Sequence, residues 1–278
     1  MEKVSFIKGH NHAKAALETA LWDLKSKQED RPLWKLLKGG KSKVEVGVSI
    51  GIQPCIEDLL EKINFHLEEG YKRIKIKIEP GIDELKLIEA IRKKFPKILL
   101  MVDANSSYSL DNLKLFKEFD KYNLLMIEQP LGESDLIDHS DLQDHINTPI
   151  CLDESICSFD DARKAAKIRS CQIINIKYGR VGGLLPALKI HDLCFEKNIG
   201  NWIGGMIETG IGQRFKIALS TLKNVKYASD IETSNRFFVE DIVEPNIVQK
   251  KGFIDADITY QVNEDKLNYY TKELFIYK

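Results

Sequence analysis

The chain has 278 residues, 43% of them hydrophobic and 30% charged, which allows a large buried core and excludes a disordered, collagen-like or low-complexity polypeptide. The 41 Lys and Arg nearly cancel the 42 Asp and Glu, leaving a net charge of -1 and excluding the global basic field of a nucleic-acid binder. The longest apolar runs fall far short of the roughly 20 residues of a membrane helix, and the start has no apolar leader, so a cytoplasmic protein without a membrane partner is expected.

In chain order, residues 1–43 read as a leading segment with one helix over 13–27, which places Ala16, Ala20, Leu21 and Leu24 on one side to pack under the barrel. His10 and His12 form an isolated H-x-H with no third ligand in view, and are solvated or structural. From residue 44, eight β-branched or Leu-rich runs alternate with helical stretches: 44–52, 73–78, 98–105, 124–130, 149–155, 172–179, 201–206 and 227–232. Helices over 56–69 and 184–198 end at Gly70 and Gly200, where a C-terminal cap is wanted. The other histidines are expected at the surface, Trp22 and Trp34 in the core, and the basic stretch 92–97 on a solvated helix face. The five Cys are scattered, without a C-x-x-C pair, and read as reduced thiols.

From Lys77 through Asp103, Glu128 and Asp153 to Lys177 the steps are 26, 25, 25 and 24 residues, one βα unit each. Eight such units predict an α/β fold, a (β/α)8 barrel of TIM type over 44–235, with an open doubly wound sheet as the alternative. Residues 236–278 carry short strand-like pieces and read as a tail that packs on something else.

Side chains two apart on a strand share a face, and reactive groups in a parallel barrel sit at the strands' C-terminal ends. The second run therefore aims Arg73, Lys75 and Lys77 inward, and a strand so charged needs acids opposite it. Asp103, Glu128 and Asp153 end the next three runs and Lys177 ends the sixth. A single strand-end acid is ordinarily a helix cap or an ion-pair partner; three in successive units at constant spacing converge and repel unless a cation lies between them. All-oxygen ligation suits Mg²⁺, with Mn²⁺ as the second ion. Lys75 reads equally as a structural counter-ion, and Lys177 has a plainer reading as partner to Asp153 or Glu154. The glycine-rich stretch 204–212 has a second reading as a phosphate cradle, against which stands the lack of any Lys or Arg in it.

The strings Lys75-Ile76-Lys77, Val102-Asp103-Ala104-Asn105, Ile127-Glu128-Gln129-Pro130, Leu152-Asp153-Glu154-Ser155, Asn175-Ile176-Lys177, Gly179-Arg180-Val181-Gly182-Gly183 and Gly204-Gly205-Met206-Ile207-Glu208-Thr209-Gly210 succeed one another in order. Together they resemble the enolase superfamily. Within it they are most similar to the o-succinylbenzoate synthase / N-acylamino acid racemase group of the muconate cycloisomerase subgroup.

The resemblance implies that Asp103, Glu128 and Asp153 bind Mg²⁺, that Lys77 is the acid/base lysine, and that Lys177 faces it across a small carboxylate substrate. It implies a lyase of menaquinone synthesis, with Lys77 removing an α-proton and then protonating the departing hydroxide while Lys177 steadies the enediolate. In a racemase the two lysines would work as a base and an acid on opposite faces. A base at neutral pH requires Lys77 to be partly neutral. Ser49, Lys75, Asn105, Gly204, Gly205, Met206 and Ile207 match positions that line the substrate pocket.

The sequence departs from the group's pattern at Tyr178, where Pro is usual, and at Gln213 before Arg214, where Gly is more frequent. Members begin with an α+β capping domain, whereas this chain starts at its leading helix. The expectation is a barrel lacking most of that cap, prone to self-association as a homo-oligomer, with a non-catalytic barrel fragment as the remaining alternative.

Overall fold

The computed structural model describes Val4 and residues 6–273; the other residues of the leading segment (1–3 and 5) and the last five of the tail (274–278) lie outside the described residues. Helix α1 (Asn11–Gln28) and the single turn α2 (Leu33–Leu36) come first, succeeded by the short strand β1 (Lys43–Glu45). The barrel strands are β2 (Gly47–Ile50), β3 (Arg73–Lys77), β4 (Leu99–Asp103), β5 (Ile127–Glu128), β6 (Ile150–Leu152), β7 (Ile173–Ile176) and β8 (Gly200–Ile203). Between them run α3 (Ile56–Glu68), α4 (Glu84–Lys94), α5 (Leu113–Phe119), α6 (Ile137–His145), α7 (Phe159–Ile168), the turn α8 (Tyr178–Val181) and α9 (Leu184–Glu196). Helix α10 (Gly210–Ser220) comes after β8; then come β9 (Val243–Glu244), β10 (Phe253–Asp255), β11 (Gln261–Val262) and α11 (Glu264–Tyr270).

The seven strands form one parallel sheet in sequence order, β2-β3-β4-β5-β6-β7-β8, as successive βα units predict. The eighth run, 227–232, joins the two edges without extended ladders. On one side Lys226 and Asp230 donate backbone N–H groups to Asn201 and Ile203; on the other Ser229 donates to Glu45 and accepts from Gly47. The curled sheet thus has hydrogen bonds to this segment from both ends. The first run is split, because β1 leaves the wall to pair antiparallel with β10. That pairing ties the segment from 236 onward to the barrel, Trp34 Nε1 of α2 donates to its Asp257 (3.1 Å), and the ribbon of β9 and β11 folds the segment on itself.

Inside the barrel Met101, Met126, Cys151, Ile173 and Trp202 form an apolar floor. The larger apolar layer lies between the strands and the surrounding helices. Helix α3 begins at Cys55, whose Sγ accepts from Asp58 N–H, and stops before Gly70, whose φ of +92° few side chains tolerate.

Several expectations are corrected. Helix α1 packs through Ala15, Glu18 and Thr19, while Leu17, Leu21 and Leu24 are more than half exposed. Polar partners on the barrel outweigh the apolar count: Glu18 accepts from Leu185 N–H at 2.9 Å. Helix α9 ends at Glu196, and the left-handed residue after it is Asn198; Gly200 lies within β8, where a Cβ would stand 2.8 Å from the Tyr227 ring. His66, His139 and His191 are buried rather than at the surface, His139 because its Nε2 accepts from Leu131 N–H beneath the wall. In the basic stretch, Arg92 is half-buried and donates to three backbone carbonyls, those of Tyr122, Ile98 and Asn123.

Candidate active site

Alternation along β3 sends Arg73, Lys75 and Lys77 into the barrel, and each meets an acid. Arg73, 1% exposed, pairs with Asp230 and lies 4.8 Å from the centre of the Trp202 indole. Lys75 Nζ lies 3.0 Å from both Glu128 and Asp230 and 3.6 Å from Asp103. Lys77 Nζ donates to Asp103 Oδ2 (3.0 Å) and to Asn105 Oδ1, and its side chain keeps a third of its surface open to solvent. A cavity of about 210 Å³ lined by Ile52, Pro54, Ile82 and Leu87 opens beside it.

On the opposite wall, four strands away, Lys177 Nζ donates to Asp153 Oδ2 (2.8 Å) and Arg180 donates to the other oxygen. Between the two lysines lies Glu128, without solvent exposure, which accepts from Lys75 and from Asn175 Nδ2 (2.7 Å). Register puts Asp103 beside Lys77 and Glu128 beside Asp103, with Asp153 two residues beyond the partner of Glu128. The carboxylates of three adjacent strands therefore line one side of the mouth.

Burial, then the neighbouring Asp103 carboxylate, pushes Glu128 up to about 8. Burial works against charge on Lys75 too, but Asp230, Glu128 and Asp103 outweigh it and hold its pKa well above the ordinary lysine value. Asp153 and Asp230 end up below the usual carboxylate range, since Lys177 with Arg180, and Arg73 with Lys75, overcome the cost of burying them. Lys75 is thus a fixed internal cation.

Each acid is turned onto an ammonium or guanidinium group. Accordingly, among the described residues no three His, Cys, Asp or Glu side chains stand close enough to share one ion as they are arranged. The donor set nevertheless fits a hard divalent cation: all its oxygens belong to carboxylates, and burial together with the neighbouring Asp103 carboxylate disfavours charge on Glu128, a cost that a cation between them would offset.

Of the expected pocket residues, Ser49 pairs in register with Lys75, and Asn105 bridges Lys77 to Glu154, accepting from the first and donating Nδ2 to the second (3.1 Å). A side chain at Gly204 would collide with Asn175 Oδ1, and one at Gly205 would crowd Asp230. Met206 and Ile207 are exposed on the loop beyond, outside the ionic network. The phosphate-cradle reading of 204–212 does not hold, because the Gly210 N–H at the start of α10 is already taken by the Asp241 carboxylate (2.9 and 3.0 Å). Tyr178 packs against Phe215 and donates to Glu208, and Gln213 donates to the Glu208 carbonyl and accepts from Glu232 N–H.

Five residues without an expected role belong to the site. Asp230 answers Arg73 and Lys75; Arg180 and Asn175 hold Asp153 and Glu128; Trp202 lies under Arg73 and Lys75; and Gln129 Oε1 accepts from Asp153 and Ser155 N–H, fixing the loop that carries Asp153. Asn175 had a signal, standing two before Lys177 on the same face.

Residues 58–258 match the family described as enolase C-terminal domain-like, and residues 1–38 match the mandelate racemase / muconate lactonizing enzyme N-terminal domain. The chain is 48% identical over 274 residues to the o-succinylbenzoate synthase of Bacillus subtilis, covering 97% of this chain and 73% of that protein. It is 44% identical to the N-succinylamino acid racemase of Thermus thermophilus, covering 91% and 68%. An enolase-superfamily member from Listeria innocua superposes with a TM-score of 0.94 at 44% identity, covering 98% of this chain and 74% of that one.

Proposed function

The chain belongs to the enolase superfamily, and on that premise we propose that it is a Mg²⁺-dependent o-succinylbenzoate synthase serving menaquinone synthesis. The observation that carries the reading is the pair Lys77 and Lys177 on opposite walls, each on a strand-end carboxylate, with buried Glu128 between them. Asp103, Glu128 and Asp153 would hold the ion, which when bound supplies positive charge to the substrate carboxylate.

Lys77, unprotonated, takes the proton α to that carboxylate; the electron pair passes into the substrate and then expels hydroxide from the adjacent carbon. Lys77 returns the proton to the leaving oxygen, so one water departs and the lysine is restored. Lys177 keeps its charge and faces the developing anion. Lys75, fixed by three acids, holds its proton throughout and acts as counter-ion.

A second reading, N-succinylamino acid racemisation, is supported by the same opposed lysines and by the resemblance to the Thermus thermophilus protein. Here one lysine removes the α-proton and the other delivers one to the opposite face. The test is turnover of the succinyl-hydroxycyclohexadiene carboxylate and of an N-succinylamino acid by the purified chain with Mg²⁺. A higher kcat/KM for the first is expected; preference for the second makes racemisation the main activity, and turnover of neither overturns both readings.

A further inference from the structure

The turn directly after Lys177 is seated on α1 rather than on the barrel alone. Its backbone bonds run from Val181 N–H to Lys177 O (3.1 Å) and from Gly183 N–H to Tyr178 O (2.8 Å). Three glycines in it face α1. A Cβ at Gly183 would collide with the Glu18 carboxylate, one at Gly179 would lie 2.9 Å from His12 Nδ1, and one at Gly182 would touch Asn11. Gly182 and Gly183 also hold φ of +95° and +134°. The glycine spacing of this motif therefore matches the side chains that α1 presents.

Those side chains hold the turn. Asn11 Nδ2 donates to Arg180 O (2.7 Å) and to Cys157 O (3.0 Å), joining the turn after Lys177 to the loop after Asp153. Glu18, 2% exposed, accepts from Leu185 N–H in the first turn of α9, just beyond Gly183. No corresponding bridge from α1 reaches the Lys77 side among the described residues. We propose that Asn11 and Glu18 are positioning residues for one arm of the site only, the Lys177 arm.

The proposal rests on the two-lysine reading above, so its test separates the two. In deuterated water the wild-type chain with Mg²⁺ should exchange the α-proton of both enantiomers of an N-succinylamino acid, one through each lysine. Asn11→Asp keeps the shape and removes the donor; it should slow exchange of one enantiomer about tenfold or more and leave the other within about twofold. Asn11→Ala should reproduce the split. Equal slowing of both enantiomers, or slowing of neither, overturns the proposal. If the wild-type chain exchanges neither enantiomer, the racemase reading is what fails, and backbone amide exchange then decides the positioning claim. Faster exchange over 177–185 in Asn11→Asp, with 73–77 unchanged, supports it; unchanged exchange over 177–185 overturns it.

Discussion

At the scale of single residues, the interior of this barrel is governed by the cost of burying charge. Arg73 and Lys75 are almost fully buried, and Asp230 answers both. Removing its charge with Asp230→Asn takes from Arg73 its acidic partner and leaves Lys75 only Glu128 and Asp103, and should cost about 3–5 kcal/mol of stability at pH 7, measured by urea denaturation. Because Asp230 titrates below its ordinary value of 3.8 when folded, its contribution is present above that pH and is lost as pH falls through the folded-state value. The gap between wild type and variant should therefore narrow below pH 3.8; a gap that widens there contradicts the ion-pair account. The cations of β3 are legible in the sequence because alternation leaves charges at 73, 75 and 77 no other side to face. Asp230 is not, because it lies on a run that joins the wall by a few bonds instead of a ladder, where parity gives no guide. The rotation of each carboxylate onto a lysine or arginine is likewise set by charges arriving from other strands.

At the scale of elements, helix ends and helix faces obey polar partners as much as apolar spacing. Helix α10 has no side-chain cap from Thr209, and Asp241 supplies one from 31 residues beyond Gly210. Asp241→Ala should cost about 1–2 kcal/mol in the same denaturation assay, and no loss would mean that the cap is not needed. Helix α1 is legible as a helix but not by face: Ala, Leu and Trp occur around much of its circumference, and only the barrel's free N–H and C=O groups choose Asn11, Ala15, Glu18 and Thr19 as the inner side. The outcome is an exposed stripe of Leu17, Leu21 and Leu24. Such a stripe favours self-association, so light scattering should report species larger than a monomer, reduced in Leu21→Lys. A monodisperse wild-type monomer would contradict this.

At the scale of the whole molecule, a constant step of about one βα unit, with acids and lysines at strand ends, is enough to predict a parallel barrel and which end of it gathers the paired acids and lysines. What escapes such a reading is how the wall is finished: β1 departs to pair with β10, and the segment after β8 closes onto β2 by single bonds. Those features depend on contacts between residues far apart in the chain, which local pattern does not encode. Both finishes bear on the site, since the closing segment carries Asp230 and the chain beyond it caps α10. The proposed function places Lys77 and three strand-end carboxylates in one metal-dependent acid/base centre. It is tested most directly by turnover of the succinyl-hydroxycyclohexadiene carboxylate by wild type and Lys77→Ala, each after chelation and again with Mg²⁺ restored. Activity that returns with Mg²⁺ in wild type alone is the predicted result; turnover that survives chelation, or that Lys77→Ala retains, would contradict the account.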